Sequence, residues 1–238
     1  MKSDIYNLVT VKDGKSDNAE IVRVFSEIAA GRLKSDLKLL NYVDEVPVSF
    51  GATINIVERE SVELEVHEHQ AVIIKRDNST LIKSRHFYNG LSVHCYAAYV
   101  NVPKKIVILH NFAYAQIRAE RREAVRVKLH GKLPVKFSYE NVKIVGYMVD
   151  ISANGVSICS SSVPSTETGQ SGLLNFTISG NSLEVSGTFV KIATKGDDGD
   201  ICVFQMEPDM KTDAIIGLFI YQRQVEIIQL LKEGLVVE

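Results

Sequence analysis

A basic cluster stands out in a chain that is nearly neutral as a whole. The 238 residues include 27 Lys and Arg against 29 Asp and Glu, but residues 118–128 read RAERREAVRVK, with five basic and two acidic side chains. Arginine binds phosphate in a bidentate manner and stacks on base faces, whereas lysine acts mainly as a point charge. The cluster therefore favours a planar, anionic ligand. Ion pairs along a helix are the structural alternative, which the spacing of Arg118 and Arg122 permits.

A second polar motif, Asp150-Ile-Ser152-Ala-Asn-Gly155, follows the cluster. In a strand, side chains alternate between faces, so Asp150 and Ser152 are expected on one side, with Val149 and Ile151 towards the core. Gly155 permits a positive φ or a close approach of a ligand to the backbone. A carboxylate beside a hydroxyl can accept hydrogen bonds from guanine, while arginine matches the guanine acceptors O6 and N7. Taken alone, the motif also fits a strand that ends in an ordinary turn.

Two series of short strands account for most of the chain. The first runs over residues 46–109 and indicates an antiparallel barrel or sandwich. The second, over 125–206, is typical of a small closed barrel. Residues 110–120 break the alternation and are interpreted as a connection. We therefore predict a mainly β protein of two small antiparallel β-barrel-like domains, residues 1–115 and 116–238, with an amino-terminal and a carboxy-terminal helix.

The amino-terminal helix is predicted over residues 20–31 from apolar side chains at helical spacing. Ser16 or Asp17 is expected to cap it, and Gly31 to end it.

The carboxy-terminal helix follows Pro208, with Asp209 or Thr212 as its cap and Gly234 at its end. Its apolar face is broad and comprises Ile215, Ile216, Phe219, Ile220, Ile227, Leu230 and Leu231. Such a face needs a partner, which is the barrel, another helix or a second copy of the chain. A homodimer is therefore among the expected arrangements.

Cysteine usage and hydropathy predict a cytoplasmic protein. Cys95, Cys159 and Cys202 are odd in number and form no CxxC pair, which argues against a disulfide framework or a zinc knuckle. The first residues lack the apolar core of a signal peptide. No apolar run reaches about 18 residues, so no transmembrane segment is expected.

Known catalytic motifs are absent from the sequence. It has no P-loop, no GxGxxG after a strand, no HExxH and no GxSxG, so we predict that the protein is not an enzyme and has no catalytic residues. His67 and His69 lie two apart on a predicted strand without a third ligand nearby, so no metal is expected. The basic cluster is short and lacks interleaved aromatic residues, so no nucleic acid is expected as a partner.

The ordered pair of motifs resembles the PilZ domain, a family with an RxxxR segment leading into a six-stranded barrel and a later [DN]-x-S-x-x-G motif. Here Arg122-Glu-Ala-Val-Arg126 supplies the first and Asp150 to Gly155 the second. The resemblance covers roughly residues 118–238, including the final helix. The two-domain layout resembles the YcgR-like group, in which a barrel-like domain precedes the PilZ domain. The last barrel strand reads VFQM from Val203, where the family often has Gly followed by Val-Gln-Phe.

The resemblance implies binding of cyclic di-GMP, a bacterial second messenger, as a ligand and not as a cofactor. Carried over by motif, Arg122 and Arg126 would hold guanine and phosphate. Asp150 and Ser152 would hydrogen-bond a guanine, and Gly155 would shape the turn.

Arg121 precedes the RxxxR segment, where an arginine in this family favours an intercalated pair of ligand molecules. The cluster also lies at the predicted domain boundary, so a ligand that orders residues 118–126 would change the angle between the domains. Such a switch would control motility, exopolysaccharide or surface behaviour, with the flagellar motor or exopolysaccharide machinery as protein partner. The alternative is an interaction module with a degenerate PilZ site, in which the arginines form structural ion pairs.

Overall fold

The structure, a computed structural model, describes residues 5–118, 124–194 and 199–233. The chain divides into two compact units. The described part of the first comprises 5–43, 47–118 and 228–233, and that of the second comprises 44–46, 124–194 and 199–227.

The first unit contains a barrel-like antiparallel sheet. Its strands are β1 (Tyr6–Leu8), β2 (Lys38–Val43), β3 (Val46–Val57), β4 (Ser61–Val66), β5 (Ser79–Lys83), β6 (Ser92–Asn101) and β7 (Ile106–Ile117). The strand order is β1-β7-β4-β3-β2-β5-β6, and β6 also pairs with β7. The pairing of β6 with β7 closes the six strands β2 through β7 into a ring. Strand β1 lies outside this ring and pairs with β7. The predicted antiparallel sheet in the amino-terminal part of the chain is confirmed.

Helix α1 (Gly14–Ala29) confirms the predicted amino-terminal helix but begins earlier than expected. Its cap is Asp13, whose Oδ1 accepts hydrogen bonds from the backbone N–H groups of Lys15 and Ser16, both at 3.0 Å. The predicted caps Ser16 and Asp17 are therefore wrong. Asp17 is buried instead, where its carboxylate accepts the N–H groups of the loop that precedes the helix. The apolar face of α1, including Phe25, packs in the core of the unit.

Helix α2 (Glu68–Asp77) was not predicted. The apolar run Ala71–Ile74 was interpreted as part of a strand, but Ala71, Ile73 and Ile74 are buried on a helix. Asn78 ends it in the left-handed conformation, with φ of 53°. His67 caps the helix, so the expected strand face with two histidines is also wrong.

Strand β7 extends through most of the segment that was interpreted as a connection. Asn111 has a positive φ of 55° within the strand, and the buried positions change from 107 and 109 to 112 and 114 across it. This irregularity interrupts the alternation, which explains why the sequence pattern predicted a break.

The second unit contains a closed six-stranded barrel. Its strands are β8 (Val127–Tyr139), β9 (Val142–Ser152), β10 (Gly155–Ser160), β11 (Ser171–Ile178), β12 (Asn181–Thr194) and β13 (Asp200–Glu207). The helix α3 (Met210–Lys232) follows, with residues 210–227 assigned to this unit and 228–232 to the first. The strand order is β10-β13-β12-β11-β8-β9. In its core the Phe204 ring lies 4.6 Å from that of Phe137 and 5.5 Å from that of Phe189. The predicted closed barrel is confirmed.

Helix α3 confirms the predicted carboxy-terminal helix. Asp209 Oδ1 accepts a hydrogen bond from the Thr212 N–H at 2.7 Å, so Asp209 is the predicted cap that the structure supports. Gly234 lies outside the described residues. Contrary to expectation, Met210–Leu231 is long and apolar enough to cross a membrane by length and composition, with a mean hydropathy of 1.2. Core helices of non-membrane proteins meet the same criteria, and α3 buries four apolar side chains, Ile216, Ile220, Ile227 and Leu231.

Candidate ligand-binding site

The hairpin of β9 and β10 positions the second predicted motif. Its loop has two residues, and Ser152 pairs with Gly155 across it. One step further into the sheet Ile151 pairs with Val156, and then Asp150 with Ser157. The register shifts immediately beyond, where Ile158 lies opposite Met148, so Val149 is an extra residue in β9. This β-bulge changes which side chains of β9 face the core.

The Asp150 carboxylate is held by its partner across the hairpin. Ser157 Oγ donates a hydrogen bond to Asp150 Oδ1 at 3.0 Å, and Ser157 itself is buried. The hydroxyl thus helps to orient the carboxylate. Sequence reasoning missed Ser157, although the two-residue loop between 152 and 155 would have predicted its register opposite Asp150.

Ser152 lies inside the turn. It is buried, and its Oγ lies 3.3 Å from both Asn154 Oδ1 and the Gly155 carbonyl oxygen, to either of which the hydroxyl can donate. The register from Asp150 to Ser152 is regular, but Ser152 is buried in the turn, and its contact with a ligand stays a prediction. The bulge precedes this segment and acts on Val149, which was expected towards the core; Met148 is buried instead.

Gly155 permits a close approach of two strands. Its φ is not positive, so the first of its two predicted roles does not apply. A Cβ at this position would lie 3.3 Å from the Phe204 carbonyl oxygen on β13 and 3.5 Å from Ser152 Oγ. The glycine therefore lets β10 pack closely against its neighbour at the end of the barrel.

Arg126 lies beside this hairpin, directly before β8. Its Nη1 is 4.0 Å from Asp150 Oδ1, with 33% of the arginine side chain and 19% of the aspartate side chain exposed. This distance allows electrostatic attraction but exceeds that of a hydrogen bond. In the described parts of the chain the Arg126 guanidinium makes no hydrogen bond. Its N–H donors therefore remain available to a ligand.

The structure thus brings together Arg126, Asp150, Ser152 and Gly155 at one end of the barrel. Arg121 and Arg122 lie outside the described residues, and their role stays a prediction. A guanidinium next to an oriented carboxylate can bind a planar group that presents acceptors to the first and donors to the second, as guanine does.

Metal-ligating side chains and buried cysteines provide no second site in the described residues. No set of three or more metal-ligating side chains is found within residues 5–118, 124–194 and 199–233. Burial raises the pKa of the Cys95 thiol far above its usual range, and burial, with Asp200 nearby, raises that of Cys202 to about 11. Neither thiol is a nucleophile at neutral pH, because the reactive form is the thiolate.

Comparison with protein families assigns the second unit. The family model of the PilZ domain matches residues 120–222. This segment is therefore a PilZ domain, which confirms the resemblance of the RxxxR and [DN]-x-S-x-x-G motifs. Comparison with curated proteins found no match.

Several solved structures align with most of the chain. YcgR from Escherichia coli in complex with cyclic di-GMP is 8% identical, with 93% of this chain and 99% of that chain covered and a TM-score of 0.43. The complex of MrkH from K. pneumonia with cyclic di-GMP is 10% identical, with 89% and 96% covered and a TM-score of 0.43. The Bacillus subtilis inhibitor of motility, MotI/DgrA, is 13% identical, with 81% and 97% covered and a TM-score of 0.39.

Proposed function

We propose that this protein is a cyclic di-GMP receptor without catalytic activity. The observation that carries the proposal is the pair of Arg126 and Asp150 at the end of a PilZ barrel, with the arginine donors unengaged in the described residues. Cyclic di-GMP offers two guanines and two phosphates, which suit a guanidinium and a carboxylate side by side. We take 116–238 as the extent of the binding domain.

Each predicted site residue has a part in this proposal. Arg126, together with Arg122, holds guanine and phosphate through paired N–H donors. The carboxylate of Asp150 accepts hydrogen bonds from the guanine donor edge, with Ser152 as a second contact. Gly155 keeps the hairpin tight against β13. Arg121 recruits a second, intercalated ligand molecule.

Isothermal titration calorimetry with cyclic di-GMP tests the receptor proposal, with GTP and cyclic mono-GMP as controls. We expect saturable binding of cyclic di-GMP only. Arg126→Ala removes a charge-assisted hydrogen bond worth about 1.5–3 kcal/mol, so its affinity should fall about 10- to 150-fold. Arg126→Lys keeps the charge but loses the planar fork, so it should bind more weakly than the wild type.

Lys143→Ala is the matched control, because it removes an exposed positive charge from the same barrel. Lys143 lies seven residues before Asp150 on β9, or about 23 Å along the strand. The affinity of Lys143→Ala for cyclic di-GMP should equal that of the wild type. A wild-type protein that gives no binding heat would contradict the receptor proposal and favour the interaction module with a degenerate site. Cyclic di-GMP recovered intact after incubation supports the absence of catalysis, and its turnover would contradict it.

We extend the proposal to a change in the orientation of the two units on binding. A ligand shifts such an equilibrium only through different affinities for the two arrangements. Small-angle X-ray scattering should therefore give different curves for the wild type with and without cyclic di-GMP. For Arg126→Ala, the curves with and without the ligand should be the same. Wild-type curves that overlay would contradict the reorientation while leaving ligand binding intact.

The proposed output is control of motility, exopolysaccharide or surface behaviour from the cytoplasm, through the flagellar motor or exopolysaccharide machinery. A strain that lacks the protein should regain normal swimming and matrix production with the wild-type gene but not with Arg126→Ala. Equal phenotypes of the two complemented strains would contradict an output that depends on the ligand.

A further inference from the structure

Helix α3 carries apolar side chains on two faces, and only one of these faces is buried. The buried face consists of Ile216, Ile220, Ile227 and Leu231. The other face is exposed except at Val225, which is half-buried, and consists of Met210, Ala214, Leu218, Tyr221, Val225 and Ile228. Leu218 is 58% exposed and Tyr221 is 64% exposed. Water contact with this face is unfavourable, so a partner that covers it would be stabilising.

The spacing of the exposed face indicates that the partner is a helix. From Ala214 to Ile228 the apolar residues follow at intervals of four, three, four and three. This repeat of 3.5 residues is that of a coiled-coil seam. A helix that lies on a membrane has instead a polar face rich in Lys and Arg. Here the middle of the seam is flanked by uncharged Gln222, Gln224 and Gln229.

Gly217 lies beside this seam, and no packing contact within the described chain requires a glycine at this position. Glycine destabilises a helix interior relative to alanine. A Cβ at Gly217 would meet no atom of the described structure within 4 Å, so internal packing does not require the absence of a side chain. A second helix that approaches closely would require it.

The charges at the two ends of α3 complement each other. Exposed Lys211 and Glu233 are 22 residues apart, which is close to six helical turns, so both lie on the same flank of the seam. Their midpoint, residue 222, nearly coincides with that of the seam. An antiparallel pair of α3 helices related by a two-fold axis near Tyr221 would therefore bring Lys211 to Glu233 of the partner subunit, once at each end.

We propose that the chain forms a two-fold symmetric dimer in which α3 pairs antiparallel with α3 of a second copy. This proposal is independent of nucleotide binding. The helix is about 34 Å long, so the pair buries less surface than a typical stable interface. The dimer is therefore weak and forms at high protein concentration.

Sedimentation equilibrium over a range of concentrations tests the dimer. The mass of the wild type should rise from the 26.4 kDa of one chain towards twice that value. Leu218→Asp places a charge in the seam and should keep the chain monomeric. Val145→Asp makes the same kind of change at a 60% exposed position on β9 and should leave the association unchanged. Circular dichroism checks that both variants retain the wild-type helix content. A monomer up to about 1 mM, or a dimer that survives Leu218→Asp, would overturn the proposal.

Charge exchange tests the antiparallel arrangement. Lys211→Glu and Glu233→Lys should each weaken the dimer severalfold, and the double variant should restore it. A double variant weaker than either single one would overturn the antiparallel pairing.

Gly217→Leu separates a helix partner from a lipid surface. The added side chain should weaken a close helix pair, whereas it should strengthen binding to vesicles of phosphatidylglycerol and phosphatidylcholine. A Gly217→Leu variant that dimerises as well as the wild type, or a monomeric wild type that binds these vesicles through Leu218, would overturn the proposal.

Discussion

Each unit contains a cluster of polar side chains, and the two clusters differ in how many hydrogen bonds join their members and in how exposed they are. In the first unit, buried Asn41 donates to Asp77 Oδ2 at 3.1 Å and to the Ser79 carbonyl at 2.9 Å. Its Oδ1 accepts hydrogen bonds from Gln70 and Thr80, both at 2.7 Å. Most polar atoms of this cluster are thus paired inside the protein, whereas Gln70 Oε1 is buried without a hydrogen-bond partner among the described residues.

The cluster of the second unit is, by comparison, partly exposed to solvent. Arg126 approaches Asp150 only to 4.0 Å, and part of each side chain is exposed. The Ser157 hydroxyl fixes the hairpin side of the carboxylate. Buried polar groups that are fully paired stabilise one fold, whereas partly exposed ones with spare donors can bind a ligand. The comparison therefore predicts that substitutions in the first cluster reduce stability and those in the second reduce affinity.

The largest effect is expected for Asn41→Ala. The substitution removes four hydrogen bonds and leaves Gln70 and Thr80 with fewer partners in a buried site. Unfolding free energy should fall by about 2–4 kcal/mol, measured by urea denaturation. Asn55→Ala, at an exposed amide, is the control and should change stability by less than about 0.5 kcal/mol. Weaker cyclic di-GMP binding by folded Asn41→Ala would contradict the separation of the two clusters.

Asp150→Asn should mainly affect the ligand. The amide oxygen can still accept the Ser157 hydrogen bond, but the negative charge beside Arg126 is lost. We expect calorimetry to show about tenfold weaker cyclic di-GMP binding, which corresponds to about 1.4 kcal/mol. Urea denaturation should show a smaller loss of stability than for Asn41→Ala. Unchanged affinity would remove Asp150 from the proposed site.

Ser157→Ala should have a smaller effect, because Ser157 acts through Asp150. Loss of its hydroxyl frees one side of the carboxylate, and we expect a two- to fivefold fall in affinity, or about 0.5–1 kcal/mol. Ser157→Thr retains the hydroxyl and should recover most of the binding. If Thr and Ala behave alike in the titration, Ser157 has no positioning role.

The smallest effect concerns His67, at the start of α2. Its ring stacks on Phe50 with 4.0 Å between centroids, and burial, with the charges of His69 and Lys105, lowers its pKa in the folded state. As pH falls below about 6.5, the unfolded chain therefore takes up the proton first, and stability declines. The side chain is largely exposed, so the change should be only a few tenths of a kcal/mol.

His67→Asn tests this dependence, because asparagine can still cap the helix but does not titrate. Urea denaturation at pH 7.5 and 5.5 should show a slightly smaller loss of stability for the variant than for the wild type. A larger loss for the variant would reverse the predicted sign.

The barrel and the terminal helices could be predicted because their apolar residues keep a regular period. The prediction failed where a single residue interrupts that period, as Asn111 does in β7 and Val149 in β9. Because of the first, the second half of β7 was interpreted as a connection, and because of the second, Val149 was expected in the core where Met148 is buried. Helix α2 was missed because an apolar run of four residues fits a strand or a helix equally well. Ser157 depends on hairpin register, which side-chain type alone does not reveal.

The tight packing around Gly155 affects how mutations at the motif are interpreted. Even a methyl group there would press on the backbone of β13 at Phe204, whose ring lies between two other core phenylalanines. Loss of nucleotide binding after such a change would therefore combine a local shift of the neighbouring strand with any lost contact. Substitution of the motif glycine would thus probe the spacing between β10 and β13 together with the ligand contacts.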